Sequence, residues 1–286
     1  MEKELCWCGS GKEYDACHRK NDERMQQLKA RGAIVPAREM IKTPEQIAGI
    51  REACRINTAL LDELTKHVRA GVSTAELDRI AYEFTLSQGA IPAPLGYCGF
   101  PKSICTSIND QVCHGIPSEH DILRSGDIVN IDVSTIYKGY YGDASRMFMI
   151  GHVNKKAQDL VAITKRCLEL GIEAAKPWSY LGDIGAAISR LAHKHGYGVV
   201  TEYGGHGVGI EFHEDPFVSH VGKKNTGMVL VPGMIFTIEP MINMGRPGVY
   251  VDAANDWTAY TLDGSLSAQW EHQILITETG NEILSR

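Results

Sequence analysis

The segment 127–150 constrains the fold of this chain more than any other, because the sequence predicts a β hairpin that carries two carboxylates. Apolar and polar side chains alternate along its first half with the period of a strand, and Gly139 gives a tight turn its backbone freedom. With the turn centred on residues 137 and 138, Asp132 and Asp143 are predicted to face each other directly. Two like charges at that distance repel each other unless cations lie between them.

The hairpin alone leaves two interpretations open. A pair of divalent ions roughly 3.5 to 4 Å apart would need bridging carboxylates of this kind. A solvated hairpin with two surface aspartates accounts equally well for the same residues. The choice between them depends on the rest of the chain.

The overall composition predicts a protein without a membrane span. The chain has 286 residues and is 43% hydrophobic, which is enough for one large domain with or without a small appendage. No apolar run approaches the roughly 18 residues that a membrane helix needs, and residues 1–5 lack the apolar core of a secretion signal. The net charge of −6 argues against general nucleic-acid affinity, so no specific DNA binding is expected. We expect a cytoplasmic protein, a compartment that also suits eight cysteines of which most are isolated.

Three cysteines and one histidine cluster near the start of the chain, at Cys6, Cys8, Cys17 and His18. Three thiols and an imidazole match the four ligands of a closed structural zinc site, and a segment this short needs such a staple to fold. Unrelated reduced cysteines in a flexible tail are the alternative. The spacing Cys-x-Cys-x8-Cys-His resembles the SEC-C zinc motif, which implies a role in protein contact.

The charge distribution divides the chain in two. Residues 1–42 carry nine basic and seven acidic side chains, a net charge of about +2, whereas the remainder carries about −8. This change coincides with the predicted boundaries, which are a zinc-binding motif at 1–20, a basic linker at 21–42 and a large domain at 43–286. A solvated basic helix explains the excess of positive charge, and contact with an anionic partner such as ribosomal RNA is the alternative.

The large domain is predicted to repeat one order of elements. Thr43 begins a capping box with proline at the first helical position, and the apolar spacing after it predicts a helix that ends at Gly71. Ser73 begins a second helix. Two more helices, from about 154 to 175 and from about 183 to 195, are again followed by strand-like segments. Two helices and then strands, twice over, predict an internally duplicated α+β domain with its site at the seam.

The second half supplies further candidate ligands. His206 lies among glycines that let the backbone approach closely, although a lone histidine is more typical of an ordinary structural residue. Glu239 is the only acid in the apolar stretch 228–242, and Glu271 begins another apolar strand. Burying such charges unpaired is costly, so a cation is expected. Four carboxylates and one histidine suit a pair of harder divalent ions better than a zinc–thiolate centre.

Seven short motifs together resemble the signature of the type I methionine aminopeptidases in order and spacing. They are CHGIP at 113–117, NIDV at 130–133, GD at 142–143, GHG at 205–207, FHEDP at 212–216, FTIEP at 236–240 and WEH at 270–272. The resemblance extends from about residue 40 to the end. It implies the pita-bread fold, a pseudo-twofold α+β domain with helices on a curved antiparallel sheet around a two-metal site.

The resemblance also implies the roles of individual residues. The two divalent ions, Co, Mn, Fe(II) or Zn, would have five ligands: Asp132, Asp143, His206, Glu239 and Glu271. Of these, Asp143 and Glu271 would touch both ions. The implied reaction removes the initiator methionine from nascent proteins with a small second residue, by attack of a metal-activated hydroxide on the first peptide bond. Glu239 would move the proton, and His114 and His213 would steady the oxyanion and the scissile amide.

The methionine side chain would enter an apolar slot, because burial of a linear thioether is favourable. By the same resemblance, seven residues would bind the substrate: Tyr97, Phe100, Cys105, His114, Phe212, His213 and Trp257. Ordinary core packing is the alternative for each wall residue. Pro94 and Cys98 depart from a common bacterial pattern with cysteine and histidine at these positions, so the rim of the slot is where this chain differs.

The implied partners are the N-terminal peptide of nascent proteins and, through residues 1–42, the ribosome; a monomer is expected. Removal of residues 1–42 is expected to spare cleavage of short peptides.

Two rival functions share the fold. A Xaa-Pro aminopeptidase or prolidase would use the same five ligands but usually carries a large N-terminal domain. A non-catalytic peptide-binding module would be expected to have lost ligands.

Overall fold

The structure, a computed structural model, describes residues 4–286, which form five α-helices, three short 3-10 helices and fifteen strands. The helices are α1 (Arg19–Ala30), α2 (Pro44–Thr65), α3 (Thr74–Ser87), α4 (Lys155–Ala174) and α5 (Leu181–Lys194). The strands of the first half are β1 (Ile91–Pro92), β2 (Cys105–Ile108), β3 (Gln111–Cys113), β4 (Ile128–Tyr137) and β5 (Tyr140–Met149). Those of the second half are β6 (Gly198–Val199), β7 (Gly205–Gly207), β8 (Glu214–Val218), β9 (Ile235–Ile238), β10 (Met241–Asn243), β11 (Val249–Val251), β12 (Ala259–Thr261), β13 (Ser267–Gln269), β14 (His272–Ile276) and β15 (Asn281–Ile283).

Polar caps fix where the helices begin. Thr43 Oγ1 accepts a hydrogen bond from Gln46 N at 3.2 Å, and the Gln46 side chain accepts one from Thr43 N at 2.8 Å, which is the predicted capping box. Ser73 and Asn154 cap α3 and α4. The predicted end of α2 at Gly71 is wrong, because the helix ends at Thr65. The backbone N–H of Gly71 instead donates to the carbonyl oxygen of Leu123, in the loop before β4. None of the described helices is long and apolar enough to cross a membrane.

The strands pair into antiparallel sheets that follow the two halves of the chain. In the first half, β4 lies between β1 and β2 and also pairs with β5. In the second half, the largest sheet has the order β15-β14-β9-β7-β8. Two smaller sheets, β13-β10-β6 and β11-β12-β3, complete the domain, and the second of these joins a first-half strand to second-half strands. Two helices precede the main strands in each half, as the sequence predicts.

β4 and β5 form the predicted hairpin, but the register differs from the prediction by two residues. The turn consists of residues 138 and 139, both with left-handed φ values of 51° and 82°, as a two-residue hairpin turn requires. Asp132 therefore pairs with Ser145, and Asp143 pairs with Ser134. The prediction that the aspartates face each other directly is wrong. They lie diagonally on the same face, still close enough for their side chains to meet.

Hydrogen bonds join the hairpin to the second half of the domain. Asn130 Nδ2 donates to the carbonyl oxygen of Gln269 at 2.8 Å, and Gln273 Oε1 accepts from Asp143 N at 2.9 Å. All four residues are buried. The hairpin is thus fixed directly against β13 and β14, so the candidate residues of the two halves are held in one rigid frame.

Residues 21–42 fold against the large domain and do not form an extended linker. Asn21 Nδ2 donates to Glu278 Oε1 at 2.8 Å, and the Arg24 guanidinium lies 4.1 Å from the centre of the Trp178 ring. Apolar side chains of α1 pack against the main core. The division of the chain at residues 20 and 42 stays a prediction. The basic side chains of α1 are exposed, as in the predicted solvated basic helix, but the opposite face of the helix buries apolar surface.

Candidate active site

The five predicted metal ligands converge on one cavity of about 520 Å³. Carboxylate oxygens of Asp132, Asp143 and Glu271 all lie within 4.8 Å of one another. His206 Nε2 lies 3.6 Å from Asp143 Oδ2 and 3.6 Å from Glu239 Oε1. The structure therefore brings all five together, although their sequence positions span both halves of the domain.

Strand pairing explains this convergence. Asp132 lies on β4, Asp143 on β5 and His206 on β7, while Glu239 directly follows β9 and Glu271 directly precedes β14. Because β14 and β9 are antiparallel neighbours, the end of one strand lies beside the start of the other, and the two glutamates meet there. β7 pairs with the other side of β9 and adds the imidazole.

The glycines around His206 permit a close approach of three strands. A Cβ atom at Gly205 would lie 2.2 Å from the carbonyl oxygen of Thr237, and one at Gly207 would lie 2.2 Å from the carbonyl oxygen of Asp215. Neither position can hold a side chain without moving the backbone. The prediction that these glycines allow close packing is confirmed by this geometry.

The electrostatics of the cluster favour a bound cation. Burial, reinforced by the neighbouring carboxylates, raises the pKa of Asp132, Glu239 and Glu271 well above their usual values. Burial raises the pKa of Asp143 to about 6. None of the four pairs with a lysine or arginine in the part of the chain that the structure describes. A divalent cation among them would restore their ionised state, so the donor set fits the ions that the sequence predicts.

The predicted substrate-binding residues all line the same cavity. The ring centres of Tyr97 and Phe212 are 4.8 Å apart, and those of Phe100 and Trp257 are 5.1 Å apart, both in edge-to-face geometry. Cys105 is buried in the wall. Pro94 and Cys98, the two positions that depart from the common pattern, line the same cavity.

The two predicted catalytic histidines lie beside the ligand cluster. His213 Nδ1 is 3.0 Å from Tyr97 Oη, and its ring centre is 4.2 Å from that of His206. His114 has a left-handed φ of 56°, uncommon for a residue other than glycine. Burial lowers the pKa of His114 and His213 to about 4. Both rings are therefore neutral at pH 7, each with one N–H donor and one acceptor nitrogen.

Three residues that hydrogen-bond to the predicted ligand Glu239 were not identified from the sequence. Thr237 Oγ1 donates to Glu239 Oε1 at 2.6 Å, and Gln269 Nε2 donates to Glu239 Oε2 at 3.2 Å. The backbone N–H of Glu239 donates to His220 Nε2 at 3.1 Å. Strand alternation could have identified Thr237, two residues before Glu239. Gln269 and His220 meet this carboxylate only through the tertiary fold, and no local pattern indicates them.

The four predicted zinc ligands near the start of the chain also converge. Cys8 Sγ lies 3.6 Å from Cys17 Sγ, and His18 Nδ1 lies 3.1 Å from Cys6 Sγ and 3.2 Å from Cys17 Sγ. Tetrahedral zinc with bonds of about 2.3 Å to sulfur separates its ligand atoms by roughly 3.5 to 3.8 Å. The observed distances are close to that spacing, so the donor set fits one zinc ion with no position left for substrate.

Comparison with known proteins bears on both regions of the chain. Residues 48–278 match metallopeptidase family M24, and residues 3–20 match the SEC-C motif. A methionine aminopeptidase of Chlamydia pneumoniae is 49% identical over 285 residues, which is 98% of this chain and 97% of that protein. Methionine aminopeptidase A of a Synechocystis strain is 51% identical over 241 residues, covering 84% of this chain and 94% of that protein.

The fold of this chain is similar to that of a solved methionine aminopeptidase structure. The crystal structure of methionine aminopeptidase from Rickettsia prowazekii is 47% identical and matches with a TM-score of 0.84, over 86% of this chain and 99% of that one. The predicted pita-bread fold and the predicted SEC-C extension are both confirmed. The chain therefore belongs to metallopeptidase family M24 and, within it, to the methionine aminopeptidases.

Proposed function

We propose that this chain removes the N-terminal methionine from newly made proteins whose second residue is small. The observation that carries the proposal is a single cavity in which five convergent ligand side chains meet an aromatic, apolar wall. A peptide terminus can place its first carbonyl at the ligand cluster while its first side chain enters the apolar part. The reaction is hydrolysis of the first peptide bond.

The ligand cluster is proposed to hold two divalent ions. The ligands are Asp132, Asp143, His206, Glu239 and Glu271, and Mn, Fe(II), Co and Zn all accept this donor set. When bound, such ions provide an activated water at neutral pH and polarise a carbonyl oxygen. The four carboxylates would neutralise the ions in a buried site, which supports the assignment.

Glu239 is proposed to move the proton. Hydrogen bonds from Thr237 and Gln269 fix its two carboxylate oxygens separately, so its orientation does not depend on the bound substrate. A carboxylate with a raised pKa can take a proton from the attacking water and pass it to the leaving amine.

His114 and His213 are proposed to contact the reacting group. Because both rings are neutral at pH 7, each can donate one hydrogen bond without adding a full charge to the cavity. Tyr97 lies within hydrogen-bonding distance of His213 Nδ1, which leaves Nε2 directed elsewhere. This arrangement supports a role for His213 at the developing oxyanion or the scissile amide.

The aromatic wall is proposed to select methionine. Tyr97, Phe100, Cys105, Phe212 and Trp257 offer a largely apolar surface. A linear thioether fills such a slot through burial and sulfur–aromatic contacts, whereas a charged side chain would lose its hydration.

The N-terminal extension, residues 1–42, is proposed to bind one structural zinc ion and to contact the ribosome in the cytoplasm. Several of its basic groups are occupied within the protein, among them Arg19, Arg24 and Arg38. Within residues 19–42, the remaining exposed basic side chains are Lys20, Lys29 and Arg31, which have no ion-pair partner among residues 4–286. The phosphate contacts of this segment would therefore fall on these three.

Two experiments test these proposals. Release of the first residue from Met-Ala and Xaa-Pro peptides, assayed side by side with added metal, should show cleavage of the methionine peptide alone. Cleavage of Xaa-Pro peptides would indicate a prolidase-like enzyme, and no cleavage of either peptide would indicate a binding module.

Cosedimentation with ribosomes at low and moderate salt should weaken when Lys20, Lys29 and Arg31 are changed to glutamine. Equal pelleting by both proteins would reject the docking role.

A further inference from the structure

The loop that presents Phe212 and His213 to the substrate cavity is held by one carboxylate. Glu214 Oε1 accepts hydrogen bonds from the backbone N–H groups of Ile210 at 2.7 Å and Glu211 at 2.9 Å. These bonds close the turn on the chain immediately before Glu214. The position of His213 therefore depends on where the Glu214 carboxylate is fixed.

A buried lysine fixes that carboxylate. The Lys42 side chain is 2% exposed, and its Nζ pairs with Glu214 Oε2, the oxygen that the backbone bonds leave free. The backbone N–H of Lys42 donates to the carbonyl oxygen of Gly233 at 2.9 Å, and Ile41 forms a β-bridge with Met234. Lys42 is thus tied to the chain that leads directly into β9 and Glu239.

This ion pair lies in the wall between two cavities. Glu214 and Asp215 line the substrate cavity and also a second cavity of about 480 Å³ on the side of the N-terminal extension. Trp7, Arg38 and Lys42 line that second cavity, and the Arg38 guanidinium lies 4.3 Å from the centre of the Trp7 ring. The extension therefore supports the substrate wall from behind, and Lys42 is its point of contact with Glu214.

We propose that Lys42 is a positioning residue for the aminopeptidase reaction, which acts through Glu214 to hold His213 against the scissile bond. This inference rests on the proposed function, since it assigns no chemistry of its own to Lys42. Without the lysine charge, Glu214 would be drawn toward solvent to recover its hydration. The backbone turn would move with it, and a displacement of about 1 Å at a catalytic group can lower the rate about a hundredfold.

The test is the effect of Lys42→Met in two backgrounds, measured as kcat and KM on a Met-Ala peptide with metal-loaded, full-length protein. In the presence of His213 we expect kcat to fall at least about tenfold. In a His213→Ala background we expect no further fall in kcat, because the residue through which Lys42 acts is gone. Lys42→Arg, which keeps the charge, should restore most of the lost rate. Lys66→Met, which removes an exposed lysine paired with Glu63, is the matched control and should leave kcat unchanged.

A general structural role gives a different pattern. An equal fall in kcat in both backgrounds, or wild-type kcat for Lys42→Met, would overturn the proposal. If Lys42→Met fails to fold, Glu214→Gln takes its place, because the glutamine amide oxygen can still accept the two backbone hydrogen bonds. The fall in kcat caused by Glu214→Gln should likewise vanish in the His213→Ala background. Failure of the proposed function itself is distinguishable, since the unaltered protein would then not cleave the Met-Ala peptide.

Discussion

His206 Nε2 lies 3.6 Å from Asp143 Oδ2, too far for a hydrogen bond but near enough for both atoms to bind one ion. The same nitrogen is equally distant from Glu239, so the imidazole stands between two carboxylates. It is the only nitrogen among the five proposed ligands.

His206→Ala and Glu239→Gln should each abolish turnover on a Met-Ala peptide and leave the protein folded. The first variant removes the proposed nitrogen ligand, and the second removes the proposed proton carrier and weakens a proposed ligand. Release of methionine measured with saturating metal checks the loss, and circular dichroism checks the fold. Wild-type rates in either variant would show that the ligand assignment is wrong.

Peptides with a small second residue should be cleaved, and those with a bulky one should be refused. The chain around His206 has little free space, since a Cβ at Gly204 would lie 2.6 Å from Phe217 Cζ and one at Gly209 would lie 2.5 Å from Ile50 Cδ1. We expect kcat/KM for a Met-Ala peptide to exceed that for a Met-Phe peptide by at least about a hundredfold. Similar values for the two peptides would contradict this.

Alkylation of Cys98 should inhibit the enzyme. Cys98 is exposed and lines the substrate cavity, whereas the other cysteines are buried or lie in the proposed zinc site. A bulky maleimide on its sulfur should obstruct entry of the peptide. Cys98→Ser is the matched control and should keep its activity under the same treatment. Complete labelling of Cys98, shown by mass spectrometry, with an unchanged rate would contradict the prediction.

Removal of residues 1–42 should lower both stability and activity. The deletion takes away Lys42 and leaves Glu214 without its buried partner, a loss of at most about 3 to 5 kcal/mol because the deletion also opens Glu214 to solvent. It also uncovers the core surface on which α1 packs. This prediction differs from the expectation from the sequence, in which truncation spares cleavage of short peptides. Thermal unfolding and peptide cleavage of the truncated protein check this, and full-length Lys42→Met separates the contribution of the lysine from that of the helix.

One zinc ion should remain bound after gentle chelation has removed the ions of the active site. The four proposed ligands of the N-terminal site would fill the coordination of one zinc ion, and two of the thiols are buried, so release should be slow. Elemental analysis should give about one zinc per chain, and Cys8→Ser should reduce this toward zero. A full-length protein without zinc after expression in zinc-supplemented medium would count against the site.

The sequence predicts the catalytic domain well because its signals are local. The capping box at Thr43 and the alternation along β4 each depend on a few adjacent residues, and the structure agrees with both. The motifs of the ligand set are equally compact. The structure therefore brings together the residues that the motifs indicated, and their assignment as ligands stays a proposal.

The errors concern relationships between segments. The hairpin register depended on where a two-residue turn falls, and a shift of its centre by one residue displaced the pairing of Asp132 by two. Lys42 looked like one more charge of a basic segment, because its partner Glu214 lies far along the chain. His220 and Gln269 were missed for the same reason. The distribution of charged residues along the sequence does not show which charged side chains the tertiary fold will bury.

The packing of the zinc motif has a practical consequence for chimeric proteins. The Asp22 carboxylate on α1 accepts hydrogen bonds from Trp7 and Tyr14 of the motif and from Arg38 beyond the helix. One carboxylate therefore joins the motif to α1 and to the segment that follows α1. Grafting the motif alone onto another enzyme would cut through this junction. An exchange between related enzymes should instead transfer residues 1–42 as one block, together with a recipient surface that offers an equivalent of Glu214.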